Sequence, residues 1–174
     1  MTMTKTCIDS TRFGRIEVDE EAVITFTQGL FGFEDYRRFV VLCLDEKSPF
    51  RWLQSLEEPS LAFVVIEPRH FMPDYAPTIS DADAEALGLD ADTPVLTYVI
   101  VTIPAGKPEQ MTANLMGPII INAATRCARQ VIVEDDCYST KHNILQELTK
   151  RREEAREGTD AGTYAQSQSE HSNR

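Results

Sequence analysis

Catalysis, metal binding and phosphate binding each need particular side chains at particular spacings, and few candidates stand in these 174 residues. There are three histidines. His70 lies in RHFMPDY and His142 in STKHN, both turn-like settings, and His171 lies in a polar tail. None has a serine or cysteine partner in a GxSxG elbow, and no HExxH pair occurs. Cys7, Cys43, Cys127 and Cys137 have no CxxC spacing and no nearby histidine pair, so a zinc or redox motif is not expected; free thiols are. The acidic clusters DEEAV, DADAE and EDD read as solvated turns or helix faces. EDD, residues 134–136, lacks the DxDxDG pattern of a calcium loop. No catalytic residue, metal ligand or cofactor is assigned.

One stretch stands apart: TQGLFGFEDYRRF, residues 27–39. Its GLFG is neither GxGxxG nor GxxxxGK[ST], and acids and bases crowd it, so a phosphate cradle is not the reading. Gly29 and Gly32 suit positive φ or close backbone approach. Phe31 and Phe33, two apart in an extended chain, point the same way. Together they are either core or a contact surface. Other polar or adaptable residues sit in apolar runs: Gln54, Asn114 in TANLM, and Asn122 ending PIIIN. Such amides cap neighbouring backbone, or they display hydrogen-bonding groups to a partner. Trp52, Tyr36 and Met116 share the same ambiguity between core and interface.

The elements that must position these residues are mostly strands. Alternating or apolar runs occur at 12–18, 22–26, 39–44, 51–56, 61–67, 95–103, 111–116, 118–123 and 129–134. Short polar links separate them, which favours antiparallel pairing, beginning with a hairpin of 12–18 on 22–26. Ser80 followed by DADAEALG reads as a short helix capped by Ser80 and stopped at Gly88. The expected fold is mainly β, a small antiparallel β-barrel-like domain with one short helix. Residues 1–12 are expected as a flexible N-terminus and 13–144 as the β domain. Residues 145–174 are expected as a tail, helix-prone over 145–157 and too polar beyond Gly158 to order itself.

Net charge is −11. Residues 149–174 hold five basic and five acidic residues, so the whole excess lies in 1–148. Such a body repels nucleic acid directly and steers toward a basic protein, including one that binds RNA. No run reaches the length of a membrane helix and no leader-like segment opens the chain, so a cytoplasmic protein is expected.

ITFTQGLFGFEDYRRFVVL, SPFRWLQSLEEPSLAFVVIEP, VTIP, MTANLMGPIIIN and ARQVIV, in that order, resemble the flagellar assembly factor FliW family over about residues 13–144. The resemblance implies a β-barrel-like protein without enzymatic activity. It implies two exchanging partners: the dimeric RNA-binding regulator CsrA, antagonised allosterically away from its RNA surface, and flagellin. Flagellin translation would thereby follow flagellin secretion. A monomer is expected when neither is bound. Partner contacts are placed at Phe31, Phe33, Tyr36, Asn114, Met116 and Asn122. The alternatives are a small-molecule-binding β-barrel, which needs convergent polar groups inside, and an uncharacterised enzyme, which needs a catalytic constellation.

Overall fold

Side chains alternate across a strand, so a strand covered on both faces needs apolar residues at both parities. PIIIN meets that demand, and its three isoleucines show how the molecule is built. Ile119 and Ile121 face one cluster with Ile24, Phe26, Phe39, Leu53 and Val65. Ile120 faces the other way, against Leu87, Val131 and Val133. The first cluster fills the inside of a closed sheet; the second lies under a helix packed on its outside.

The computed structural model describes residues 4–171, with side chains through residue 158. Among the described residues there are eleven strands and two α-helices. The strands are β1 (Lys5–Ser10), β2 (Gly14–Asp19), β3 (Ile24–Phe26), β4 (Arg38–Leu42), β5 (Phe50–Ser55) and β6 (Ala62–Ile66), followed by helix α1 (Asp81–Leu87). Then come β7 (Val95–Thr102), β8 (Thr112–Ala113), β9 (Ile119–Asn122), β10 (Cys127–Gln130), β11 (His142–Asn143) and helix α2 (Ile144–His171). Strands β7, β6, β5, β4, β3, β10 and β9 follow one another, and β9 pairs back onto β7, closing a seven-strand barrel. The long β7 makes closure possible. Its first half pairs with β9, from Val95 opposite Asn122 to Tyr98 opposite Ile119, and its end pairs with β8.

The mainly β, barrel-like expectation holds, with one departure from antiparallel pairing. Strands β3 and β10 run parallel, with Cys127 opposite Thr25. A parallel pair needs a long crossover, and here the rest of the barrel supplies it. The expected hairpin of 12–18 on 22–26 does not form. Residues 5–10, expected within the flexible N-terminus, are β1 and pair with β2 from Lys5–Asp19 to Ser10–Gly14. Val18 of that hairpin and Val23, which follows it, cover Val40, burying an outward face of β4. The expected strand at 111–116 shortens to β8, because Asn114 turns the chain. Residues 1–3 and 172–174 lie outside the described residues, and with them the outer ends of the two terminal expectations.

Helix α1 forms as its caps require. The Ser80 side chain accepts from Asp83 N–H at 3.1 Å, and Gly88 stands at φ 66° in the left-handed region. Helix α2 begins on Ile144, buried with Phe71 and Leu115, and is clamped by Arg151, which reaches both Glu147 at 2.7 Å and Asp74 at 2.5 Å. Its backbone stays helical past Gly158, where an unordered segment was expected. A glycine costs a helix only about 1 kcal/mol relative to alanine, which interrupts it weakly. Among the described residues no helix is long and apolar enough to cross a membrane.

Candidate partner-binding site

The glycine-rich stretch crosses one end of the barrel as two consecutive turns. Phe33 N–H donates to Leu30 carbonyl at 2.8 Å, and Tyr36 N–H to Phe33 carbonyl at 3.1 Å. Gly29 and Gly32 both have positive φ, 73° and 86°. At Gly29 there is a second reason: a Cβ would lie 2.7 Å from Glu34 Cα. The turn is tied down by carboxylates. Glu34 accepts from Gly32 N–H at 3.0 Å, which holds its pKa below the usual carboxylate range. Glu57 accepts from the N–H groups of Arg38 and Arg37 and is lowered for the same reason.

The consequence is a split in side-chain direction. Leu30 drops into the barrel core at 1% exposure. Phe31 and Phe33 stay out at 49% and 38%. Phe33 leans edge-on against Phe63, ring centroids 5.2 Å apart. Both rings line one groove of about 290 Å³ with Asn114, Thr140 and Lys141. Phe31 also borders a second groove of about 500 Å³ beside α1, with Gln28, Asp83, Arg129, Ile132 and Glu134. Phe31 is therefore a ridge between two depressions.

Three of the six sequence-selected residues, Phe31, Phe33 and Asn114, thus share one surface. Asn114 is half-buried, and its Oδ1 accepts from Met116 and Gly117 N–H at 3.1 and 3.0 Å, shaping that edge. Met116 is half-buried beside it. Tyr36 is half-buried against the barrel core, an anchor more than a display. Asn122 is a correction. It is 2% exposed, on the flank under α1, and its amide is engaged at both ends: Nδ2 donates to Leu87 carbonyl at 2.9 Å, and Oδ1 accepts from Ala124 and Thr125 N–H. It ties α1 to the barrel and offers no group to a partner. Gln54, buried likewise, spends its amide on Ser10, Ser55, Pro59 and Leu61.

Sequence reasoning missed the residue that joins the two chosen segments. Gln130 Oε1 accepts from Phe31 N–H at 3.0 Å while Nε2 donates to Gly117 carbonyl at 3.0 Å. Its signal was an amide at the start of an apolar run, as Asn122 is an amide at the end of one. Ile132, 65% exposed, was missed as well. It shares a parity with Glu134, which marks the outward face of VIVE.

His70 and His142 line neither groove. His70 is exposed, and His142 lies 3.2 Å from Glu147 and stacks on Phe71. The barrel interior is packed with aliphatic and aromatic side chains. The four cysteines are free thiols.

A family model described as FliW protein matches residues 6–144, which takes in most of β1 and the whole barrel. The chain belongs to the FliW family. It is 41% identical to the flagellar assembly factor FliW of Leptospira biflexa over 142 residues, covering 82% of this chain and 93% of that protein. The corresponding protein of Bdellovibrio bacteriovorus is 43% identical over 144 residues, 83% and 82% of the two chains. A crystal structure of the flagellar assembly factor FliW superposes with a TM-score of 0.73 at 37% identity, covering 80% of this chain and 96% of that one. These relatives are described as flagellar assembly factors. The family match ends at residue 144, the first residue of α2.

Proposed function

We propose that this FliW-family chain is a cytoplasmic regulatory binding protein of flagellar assembly that takes CsrA and flagellin in exchange and transforms no substrate. Free flagellin occupies the chain and leaves CsrA to repress translation; as flagellin is exported, the chain turns to CsrA. The observation that carries the reading is the pair of exposed rings, Phe31 and Phe33, held out by a turn whose glycines and capping carboxylates fix its shape. Exposed aromatics on a rigid frame are what a protein interface uses as anchors. The −11 charge supports the choice of a basic partner. A strongly acidic body docked beside an RNA-binding surface also weakens that surface's salt-dependent pull on phosphates without covering it.

The test is a pull-down with purified CsrA and flagellin, each alone and then in competition, for the parent chain and for Phe31→Ala with Phe33→Ala. The parent holds each partner and one displaces the other. The double variant melts within about 2 kcal/mol of the parent, since both rings are already partly in water, yet loses at least one partner by about tenfold or more. Indifference of the parent to both proteins overturns the proposal.

A further inference from the structure

Strand β10 is only half used beyond Gln130. On one side its continuation is paired: Val131 N–H donates to Pro118 carbonyl at 3.0 Å and Val133 N–H to Met116 carbonyl at 2.9 Å. On the other side the ladder with β3 begins and stops. Thr25 N–H donates to Arg126 carbonyl and Thr27 N–H to Ala128 carbonyl, each at 3.0 Å. At Gln28 and Gly29 the chain turns away into the double turn described above. The next positions of the same parity, Ile132 and Glu134, therefore point their backbone groups where β3 would have continued. Neither makes a backbone hydrogen bond to any described residue. The side chain of Ile132 is 65% exposed. This vacated place in the sheet opens into the groove of about 500 Å³ bordered by Phe31.

An unpaired edge next to an exposed apolar side chain invites a further strand, and proteins that do not use such edges blunt them with lysine, proline or a covering loop. Here the flanking charges are acidic instead. Glu134 is exposed and forms no ion pair with any described residue, while the groove's arginine, Arg129, is already engaged by Asp83 at 2.9 Å and Gln28 at 3.0 Å. Asp135 adds negative charge at the same end, its carboxylate accepting from Thr78 N–H at 2.9 Å and Thr78 Oγ1–H at 3.1 Å. We infer that the free edge of residues 130–134 accepts an extended segment of a protein partner, carrying alternating apolar and cationic side chains, as an added strand in the place β3 leaves. Five residues at about 3.4 Å each give it roughly 17 Å of strand. Main-chain hydrogen bonds supply affinity, and Ile132, Phe31 and Glu134 select the side chains.

The inference rests on the partner-binding reading above, and amide exchange separates the two. The full chain is followed by hydrogen exchange with and without excess CsrA. The amides of Ile132 and Glu134 exchange rapidly in the free chain and are protected in the complex. Ile132→Pro, which removes a donor that no native bond uses, weakens association by about tenfold or more with an unchanged melt. Ile132→Thr, which keeps the N–H and the β-branch, stays within about threefold. A complex that forms with these amides still unprotected overturns the inference and leaves the partner reading standing. So does an Ile132→Pro chain that binds as the parent does. If CsrA does not bind at all, the partner reading fails, and the edge is probed with the peptide Arg-Val-Arg-Val-Arg and its Glu-Val-Glu-Val-Glu counterpart. Protection by the cationic peptide alone upholds the inference, and protection by neither or by both overturns it.

Discussion

Gly29 and Gly32 share a backbone sign but differ in surroundings, and alanine at each separates conformational strain from steric conflict. Both have positive φ, 73° and 86°. Placing alanine in the left-handed region costs roughly 1–2 kcal/mol, of which about 0.4–1 kcal/mol returns because alanine restricts the unfolded chain. At Gly32 nothing lies within 4 Å of the added methyl, so the net loss is roughly 0.5–1.5 kcal/mol. At Gly29 the methyl meets Glu34 Cα at 2.7 Å and its carbonyl oxygen at 2.8 Å. These are backbone atoms, held by the turn that Glu34 itself caps, and they cannot swing aside as a side-chain end would. Forcing them apart adds about 1–3 kcal/mol, for a total near 2–4 kcal/mol. At about 2–4 °C per kcal/mol for a chain of this size, Gly29→Ala should melt about 10 °C below the parent and Gly32→Ala about 2–4 °C below. Urea unfolding monitored by the fluorescence of Trp52 gives the same comparison in free energy. Equal losses at the two positions, or a Gly29→Ala loss under about 1 kcal/mol, would refute the claim that close approach to Glu34 decides the turn.

Two further outcomes follow from groups already placed. Asn122→Ala strips Leu87 carbonyl of its donor and should cost about 2–3 kcal/mol in urea unfolding, while the fraction still folded binds partners as the parent does; a binding defect without a stability defect would return Asn122 to the contact surface. Tyr75 donates its hydroxyl to Leu115 carbonyl at 2.6 Å, and burial pushes its pKa well above that of a free phenol. The neutral phenol's contribution is therefore complete below about pH 10, where the unfolded chain's tyrosine ionises, and is lost as pH climbs toward the folded value. Tyr75→Phe should cost about 1–2 kcal/mol at pH 7 and soften the fall in stability above about pH 10; parallel curves for the two proteins would show the phenol uninvolved.

What could be read in the chain was what its neighbours in sequence decide. Ser80 and Gly88 cap α1 within a few residues of themselves, and Gly29 and Gly32 shape turns only a few residues long. These were legible because local geometry has few solutions. Pairing was not. Residues 12–18 alternate equally well opposite 22–26 or opposite 5–10, and the choice depends on Val18 and Val23 covering Val40, a contact that spacing does not express. The site shows the same division. Phe31 and Phe33 stood out by composition, yet their meeting with Asn114 depends on Gln130 bridging two distant segments. Asn114 and Asn122 look alike in sequence, each an amide in an apolar run. One edges a surface groove and the other is sealed under a helix, because only the barrel's curvature says which flank α1 covers.

The parallel seam between β3 and β10 also sets an order of events during synthesis. Gln28 and Arg129, joined across it by a 3.0 Å hydrogen bond, are 101 residues apart. A ribosome must therefore deliver nearly the whole domain before the ring can shut, and until then Ile24 and Phe26 wait beside an unfilled slot. Loop closure of that span makes the final stitch a slow one, and the nascent chain is at its most adhesive just before it is made.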